Sequence, residues 1–301
     1  MSEALTALAG TPEGARLAVL LALTSAVAHA ALGALQKGRH DPWLTRGAID
    51  LWLVILSVPL VLLVPFPEPG LWPVLIGALA IHFAYKLTMA LSYERADFTV
   101  VYPVMRGTGP LVTVGAAAVI FGEHYAPLQW AGVALLSGGI LMLAVLNLRA
   151  AHLDPSAMRA GLFWAFIGGL IVALYTTYDA WGIRLPPDPF TFLAWFFLIT
   201  ALDFPLIALW RYRRMAAPPA PFALLTRGFV GALIAYISFG GVMLATRLDR
   251  VGDAAVLRET STVFAGLIGW LFLGEKVGPA RAGLMALIAS GAVLVKLGAV
   301  R

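Results

Sequence analysis

Long apolar stretches, separated by short polar connections, recur along the whole chain. About ten of them reach the roughly 20 residues that a helix needs to cross a bilayer. They run approximately over 14–36, 47–66, 70–93, 96–121, 125–148, 158–182, 188–210, 222–246, 251–273 and 277–299. Because the connections are short, no soluble domain is inserted between them. The pattern predicts an all-α integral membrane protein with ten transmembrane helices.

Composition agrees with this prediction. Hydrophobic residues make up 60% of the chain and charged residues 12%, whereas soluble domains carry about a quarter charged residues. The first fifteen residues hold two glutamates and no basic residue, so we expect no signal peptide and a retained first helix. The chain has no cysteine, which excludes disulfides and thiolate metal sites.

Basic residues indicate an orientation. The net charge is +5, and of the 21 lysines and arginines we set aside Lys86, Arg106 and Arg258 as intramembrane. Of the others, twelve lie in loops opposite the N-terminus and six on the N-terminal side. The positive-inside rule therefore predicts a multi-pass protein of the inner (plasma) membrane with both termini outside, and it explains the basic loops without a nucleic-acid partner.

The second half of the chain repeats the first. FGEHYAP at 121–127 matches LGEKVGP at 273–279, while ALSYER at 90–95 matches ATRLDR at 245–250 with an offset three residues larger. The sequence predicts two halves, 1–150 and 151–301, of five helices each. Since five is odd, the second half is inverted, as in many secondary transporters that hold substrate near the midplane. The differing offsets leave open by one turn whether Arg106 and Arg258 are equivalent.

Ionisable residues inside a membrane are functional hypotheses by default. His82 and Lys86 lie four residues apart on one face of helix 3. Lys86 is predicted either to bind an anion or change protonation, or to extend its amine to the membrane surface. Tyr102 and Arg106 form a similar pair in helix 4, with Arg106 about 15 Å deep. Arg106 therefore needs a wet cavity, an anionic substrate or a carboxylate in a structural ion pair.

Prolines and glycines mark candidate hinges. Pro103 and Pro110 each remove a helical hydrogen bond, so we expect helix 4 to be broken around a cavity. Gly240 and Gly241 in helix 8 either mark close helix packing or permit bending. Tyr236 precedes them on the same helix.

Acidic residues in the apolar stretches are candidates for proton coupling. Asp179 in helix 6 is either a helix-end residue close to Arg184 or a residue that balances the buried cations or carries a coupling proton; Asp203 in helix 7 carries less weight. In helix 9, Arg258 and Thr262 share a face and Glu259 points about 100° away. Glu259 either neutralises its neighbour or titrates.

Together these residues predict a site with more cations than anions. Such a site favours a carboxylate, phosphonate or zwitterion over a cation. No zinc-binding, nucleophile-elbow or phosphate-loop motif is present, so we expect no metal or cofactor, no enzyme and no ATP-driven pump. The predicted substrate-binding residues are Arg106, Tyr102, Lys86, His82, Arg258, Thr262, Tyr178 and Tyr236, and the proton-coupling candidates are Glu259 and Asp179.

The two halves together resemble a known family. Each ends in a Gly-Glu turn, Gly122-Glu123 and Gly274-Glu275, followed by proline and a glycine-rich last helix. With the cores YPVMRGTGP and LRETSTVF, this is similar to the EamA branch of the drug/metabolite transporter superfamily. The resemblance implies a cavity lined by helices 1, 3, 4, 6, 8 and 9, with helices 5 and 10 peripheral. Many relatives have proline where this chain has Thr262, so whether helix 9 breaks like helix 4 stays open.

The resemblance and the polar residues imply the same function. We expect a secondary active exporter or exchanger, a monomer or homodimer, that moves a small amino acid, carboxylate or other anionic or zwitterionic metabolite by alternating access. Protons are a candidate coupling ion. A lipid flippase or scramblase is the alternative, which needs a lateral opening and a long apolar groove.

Overall fold

The structure, a computed structural model, describes residues 2–36, 41–96, 98–150, 155–273 and 277–299. Every regular element in these ranges is helical. The α-helices are α1 Ser2–Ala7, α2 Pro12–Gln36, α3 Pro42–Val61, α4 Trp72–Arg95, α5 Phe98–Ile120, α6 Pro127–Ala150, α7 Pro155–Gly182, α8 Pro189–Thr200, α9 Phe204–Arg214, α10 Pro221–Ala235, α11 Gly241–Leu248, α12 Val251–Glu259, α13 Ser261–Leu273 and α14 Pro279–Leu297. A 3₁₀ turn, Pro69–Leu71, precedes α4, and a π-helical turn, Tyr236–Gly240, joins α10 to α11.

The predicted all-helical membrane fold is confirmed. In the described ranges, nine helical stretches are long and apolar enough to cross a membrane. The predicted stretch 251–273 is not among these nine; it consists of α12 and α13 and carries Asp253, Arg258 and Glu259. The count of ten therefore stays a prediction.

Proline and aspartate set where helices begin. Seven of the α-helices start at a proline, whose fixed φ suits the first turn and whose missing N–H is not needed there. Asp41 caps α3 by accepting hydrogen bonds from the backbone N–H groups of Trp43 and Leu44 at 2.9 and 3.2 Å. Asp188 caps α8 through Phe190 N at 3.0 Å. These caps satisfy N–H groups that a helix start leaves unpaired.

The expected break in helix 4 is wrong. Helix α5 runs without interruption through Pro103 and Pro110, because neighbouring helices stabilise a proline-containing membrane helix. The interruption lies instead in predicted helix 9, at Thr260, without a proline. There the Thr260 N–H and hydroxyl both bond to the Leu257 carbonyl, three residues back, at 3.2 and 2.6 Å. Such threonine bonds interrupt the regular ladder.

The predicted hinge glycines lie beside the π-helical turn. Gly240 ends this turn and Gly241 begins α11. The turn adjoins α2, since the Ser25 hydroxyl donates to the Ser238 carbonyl, and so does Gly241, since a Cβ on it would lie 3.2 Å from the Leu21 carbonyl oxygen. Gly241 thus permits close packing, which is one of the two roles left open, whereas a Cβ on Gly240 would meet only the Phe197 ring, at 3.8 Å. A hinge at this turn stays a prediction.

Helices in equivalent positions of the two predicted halves make equivalent contacts. Helix α7 packs against α4 and α5, and its counterpart α2 packs against α10–α11 and α12–α13. The counterparts α6 and α14 pack against each other. These neighbour relations support the division into 1–150 and 151–301, which stays a prediction.

The α6–α14 contact depends on two glycines. A Cβ on Gly132 would lie 2.7 Å from the Gly291 carbonyl oxygen, and a Cβ on Gly291 would lie 2.7 Å from that of Gly132. We expect Gly132→Val to lower the free energy of unfolding by about 1–3 kcal/mol through overpacking. Thermal unfolding in detergent measures this. Gly138→Val on the same helix is the matched control, because nothing lies within 4 Å of its Cβ position. Equal effects at both positions would contradict close packing as the cause.

Candidate functional site

Two half-chains meet at an ion pair between α5 and α12. Arg106 Nε lies 2.9 Å from Glu259 Oε2, and the side chains are 0% and 5% exposed. Each residue lies eight positions after the first residue of its helix, or about 12 Å along it. The N–H of Arg106 Nε is not aligned for a hydrogen bond. The contact is therefore an ion pair without a hydrogen bond.

Arg258 completes this arrangement, and we call Arg106, Arg258 and Glu259 the arginine site. The Arg258 guanidinium carbon lies 4.8 Å from the ring centroid of Phe239 and 5.8 Å from that of Tyr175. Among the described residues, Nη1 and Nη2 of Arg106 and Nε and Nη2 of Arg258 are buried without a hydrogen-bond partner. Two guanidiniums against one carboxylate leave an excess of one positive charge.

Hydroxyl groups and aromatic rings surround the arginine site. The Tyr102 hydroxyl lies 3.4 Å from Ser261 Oγ, and the Tyr102 ring stacks on His29 with centroids 6.3 Å apart. The hydroxyls of Tyr175 and Thr262 are buried and have no hydrogen-bond partner within the described part of the chain. These groups add neutral donors and flat apolar walls to the two cations.

Four of these surrounding residues are absent from the predicted substrate-binding set: His29, Tyr175, Phe239 and Ser261. The available signal was weak, because histidines and aromatic residues in membrane helices more often serve packing. Tyr175 lies one turn before Asp179 and so shares its helical face, which is a usable signal. No spacing or motif in the sequence indicates Phe239 or Ser261 as site residues.

Lys86 lies in a different set of charges, which we call the lysine cluster: Arg46, Asp50, Lys86 and Asp203. Lys86 Nζ lies 2.9 Å from Asp50 Oδ2 and also pairs with Asp203. Arg46 lies 2.6 Å from the other oxygen of Asp50. Two cations and two carboxylates cancel here, and no residue of the arginine site is among these partners of Lys86.

Asp179 pairs with His82, not with Arg184. His82 Nε2 lies 2.8 Å from Asp179 Oδ2, and both side chains are buried. The His82 ring lies 4.7 Å from that of Tyr175, so this pair adjoins the arginine site. Arg184 instead donates to the backbone carbonyls of Thr246 and Asp249.

Two predicted tyrosines point elsewhere. The Tyr178 hydroxyl donates to the Val74 carbonyl at 3.1 Å. The Tyr236 hydroxyl donates to the Leu53 carbonyl at 3.2 Å and contacts Ser57. Neither contact involves the arginine site.

Tyr236 also lines a lateral groove of about 670 Å³. Apolar side chains of α2, α8 and the segment following α3 form most of its wall, together with the π-helical turn. Leu60 and Leu63 on its edge are 39% and 80% exposed. No residue of the arginine site lines this groove.

The first Gly-Glu turn caps the helix that carries Arg258 and Glu259. Glu123 accepts hydrogen bonds from the backbone N–H groups of Val251 and Gly252 at 2.6 and 3.2 Å. Gly122 permits the turn because its φ is 64°, in the left-handed region. The Tyr125 hydroxyl also donates to Glu123, and burial together with this carboxylate raises the pKa of Tyr125. The second turn, Gly274-Glu275, lies outside the described residues.

Removing this cap is expected to destabilise α12. Glu123→Ala leaves the first N–H groups of the helix without their acceptor, which typically costs about 0.5–2 kcal/mol. Thermal unfolding measures the loss. Glu68→Ala is the control, because Glu68 precedes the 3₁₀ turn without making a side-chain cap bond. An unchanged unfolding temperature in Glu123→Ala would contradict the capping role.

Comparison with known proteins concerns the family and the fold. Residues 159–297 match the EamA-like transporter family. The uncharacterized protein y4nH of Sinorhizobium fredii (strain NBRC 101917 / NGR234) is 31% identical over 74 residues, which are 25% of this chain. The matched region spans 63% of that relative's length.

A solved structure shows the same fold. This crystal structure of a protein has a TM-score of 0.76 and 20% sequence identity, and the match covers 94% of this chain and 98% of the other. The EamA match and the helical fold confirm the resemblance seen in the Gly-Glu turns. Residues 159–297 of the chain therefore match the EamA-like transporter family, which belongs to the drug/metabolite transporter superfamily.

Proposed function

We propose that this protein is a secondary active transporter, an exporter or exchanger, which moves a small organic anion across the inner membrane by alternating access. One observation carries the proposal: five nitrogen atoms of Arg106 and Arg258 are buried without hydrogen-bond partners among the described residues. Unpaired charged donors are costly in a protein interior. Such a cost is typical of a site whose partner is a ligand.

The charge of the arginine site favours a ligand with one net negative charge. Guanidinium groups bind carboxylates and other oxyanions through paired hydrogen bonds. An amino acid brings an ammonium group as well, which needs an acceptor. Glu259 is the carboxylate of this site, and it already pairs with Arg106. An organic anion therefore suits the arginine site better than a zwitterion.

Glu259 offers a route to proton coupling. A ligand anion that binds Arg106 competes with Glu259 for the same cation. A displaced Glu259 would be a buried carboxylate without its partner, and burial disfavours the charged form. We therefore propose that Glu259 takes up a proton when the ligand binds. The pair of His82 and Asp179 is the second candidate proton carrier.

Transport by purified protein in liposomes tests the proposal. Labelled carboxylates, phosphonates and amino acids would be offered to vesicles preloaded with the same unlabelled compound. We expect saturable exchange of a compound with one net negative charge, and none by vesicles that contain Arg258→Met. Exchange restricted to cations would contradict the proposal.

The lateral groove favours a lipid flippase as the second candidate. A flippase needs a lateral opening and an apolar groove, and the wall around Leu60, Leu63 and Tyr236 provides an apolar face of this kind. Fluorescent phospholipids in liposomes, quenched from outside by dithionite, distinguish the two functions. A metabolite transporter leaves the protected fraction at the value of protein-free vesicles. Rapid loss of that fraction would favour the flippase.

A further inference from the structure

The oxygen atoms around Lys86 have the chemistry of a cation site. Its ammonium contacts three of them: Asp50 Oδ2 at 2.9 Å, the Thr200 carbonyl at 2.7 Å and Asp203 Oδ1. The Lys86 side chain is 1% exposed. An ammonium has three N–H donors, so each is matched by one oxygen.

A helix interruption supplies two of these three oxygens. Helix α8 ends at Thr200 and α9 begins at Phe204, so the last carbonyls of α8 are free of helical partners. Asp203 caps α9, with its Oδ1 accepting from Phe204 N at 2.6 Å. Interrupted membrane helices whose carbonyls lie beside carboxylates are how transporters hold inorganic coupling cations. Hard cations prefer such oxygen ligands.

The electrostatic balance depends on the lysine. Asp50 is fully buried, and its second oxygen is already paired with Arg46. With Lys86 present, the lysine cluster is neutral. Without it, one negative charge is left in the membrane interior, where an unpaired charge is costly.

We infer that Asp50, the Thr200 carbonyl and Asp203 form a monovalent-cation site whose resident cation is the ammonium of Lys86. The tethered cation joins α3, α4 and the α8–α9 interruption without an inorganic ion. When Lys86 is shortened, a small alkali cation such as Na⁺ takes its place. This inference is independent of the proposed ligand, because the lysine cluster and the arginine site share no residue.

Thermal unfolding of Lys86→Ala in different salts tests the inference. The chlorides of sodium, lithium, potassium and choline would be compared at equal ionic strength. In choline we expect a melting temperature about 5–10 °C below wild type. At least one alkali cation should recover several degrees. The wild type should melt at the same temperature in all four salts.

Two further variants make the result specific. Lys296→Ala is the matched control, because the Lys296 side chain is 28% exposed and lies 3.7 Å from Asp249 and 3.4 Å from Asp253; this variant should show no cation preference. Lys86→Ala combined with Asp203→Asn removes one carboxylate and should lose the cation response. The inference is overturned if Lys86→Ala melts alike in all four salts. It is equally overturned if the melting temperature of wild type depends on sodium, or if folded Lys86→Ala protein cannot be purified even in alkali salts.

Discussion

Arg258→Met is expected to abolish ligand binding while leaving the ligand-free protein as stable as wild type, or more stable. The Arg258 guanidinium is buried against Phe239 and Tyr175, and two of its nitrogens lack partners. Replacing an uncompensated buried charge by an apolar side chain of similar length removes a desolvation cost. The same replacement removes charge-assisted hydrogen bonds to the ligand, worth about 1.5–3 kcal/mol each, so affinity should fall by at least about 10-fold for each bond lost.

Binding and thermal unfolding, measured on the same preparations, check this prediction. Arg258→Lys keeps the charge and loses the planar fork, so its affinity should lie between wild type and Arg258→Met. Arg213→Met on the exposed end of α9 is the control for loss of an arginine and should change neither quantity. Lower stability of Arg258→Met, with affinity unchanged, would show that this arginine supports the fold and not the ligand.

Arg106→Ala is expected to insert into the membrane, to lose transport and, unlike Arg258→Met, to lose stability. It leaves Glu259 buried without its cation, and breaking a buried ion pair in this way costs about 3–5 kcal/mol. Arg106→Ala combined with Glu259→Ala removes both charges and should recover most of that loss. Transport should stay absent in the double variant, because Arg106 is also a ligand contact in our proposal.

A double-mutant cycle on unfolding free energies measures the coupling between Arg106 and Glu259. We expect a coupling of at least about 1 kcal/mol for charges that are 2.9 Å apart and shielded from water. The pair Arg213→Ala and Glu259→Ala, with no contact between the two side chains, should be additive. An additive result for Arg106 and Glu259 would contradict the ion pair. Wild-type transport by Arg106→Ala would contradict the binding role.

The helices and the arginine site could be predicted from local features of the sequence. Membrane helices must satisfy their backbone hydrogen bonds internally. Apolar stretches of sufficient length therefore predict the helices, and with them the all-helical fold. Arg106 was conspicuous because it lies deep in such a stretch. Its partner was left open between substrate and carboxylate, and the structure brings it to Glu259.

Contacts between distant helices could not be predicted in this way. Asp50 and Asp203 neutralise Lys86 from α3 and from the α8–α9 interruption, and no local spacing connects these segments. Asp50 is four residues from Arg46, which is the spacing of a helical ion pair, but that pattern alone is also typical of an exposed helix end. The single predicted site is therefore two sets of charges, because Lys86 belongs to a neutral cluster and the excess of one positive charge lies with Arg106 and Arg258.

Proline rules misled the prediction of helix interruptions. Pro103 and Pro110 were expected to break helix 4, yet α5 is continuous, and the interruption lies at Thr260. The cost of a proline in a soluble helix does not transfer to a helix that is held by neighbours in the membrane. The effect of a threonine depends on whether its hydroxyl bonds back to the helix, which the sequence does not specify.

The most direct test of the two-arginine anion site is a ligand-stabilisation screen on wild type and Arg258→Met. A ligand that binds only the folded state raises the melting temperature by mass action. Carboxylates, phosphonates, amino acids and organic cations would be added to each protein at matched ionic strength. We predict that one or more organic anions stabilise wild type and leave Arg258→Met unchanged. Equal stabilisation of both proteins, or stabilisation of wild type by cations alone, would contradict the site.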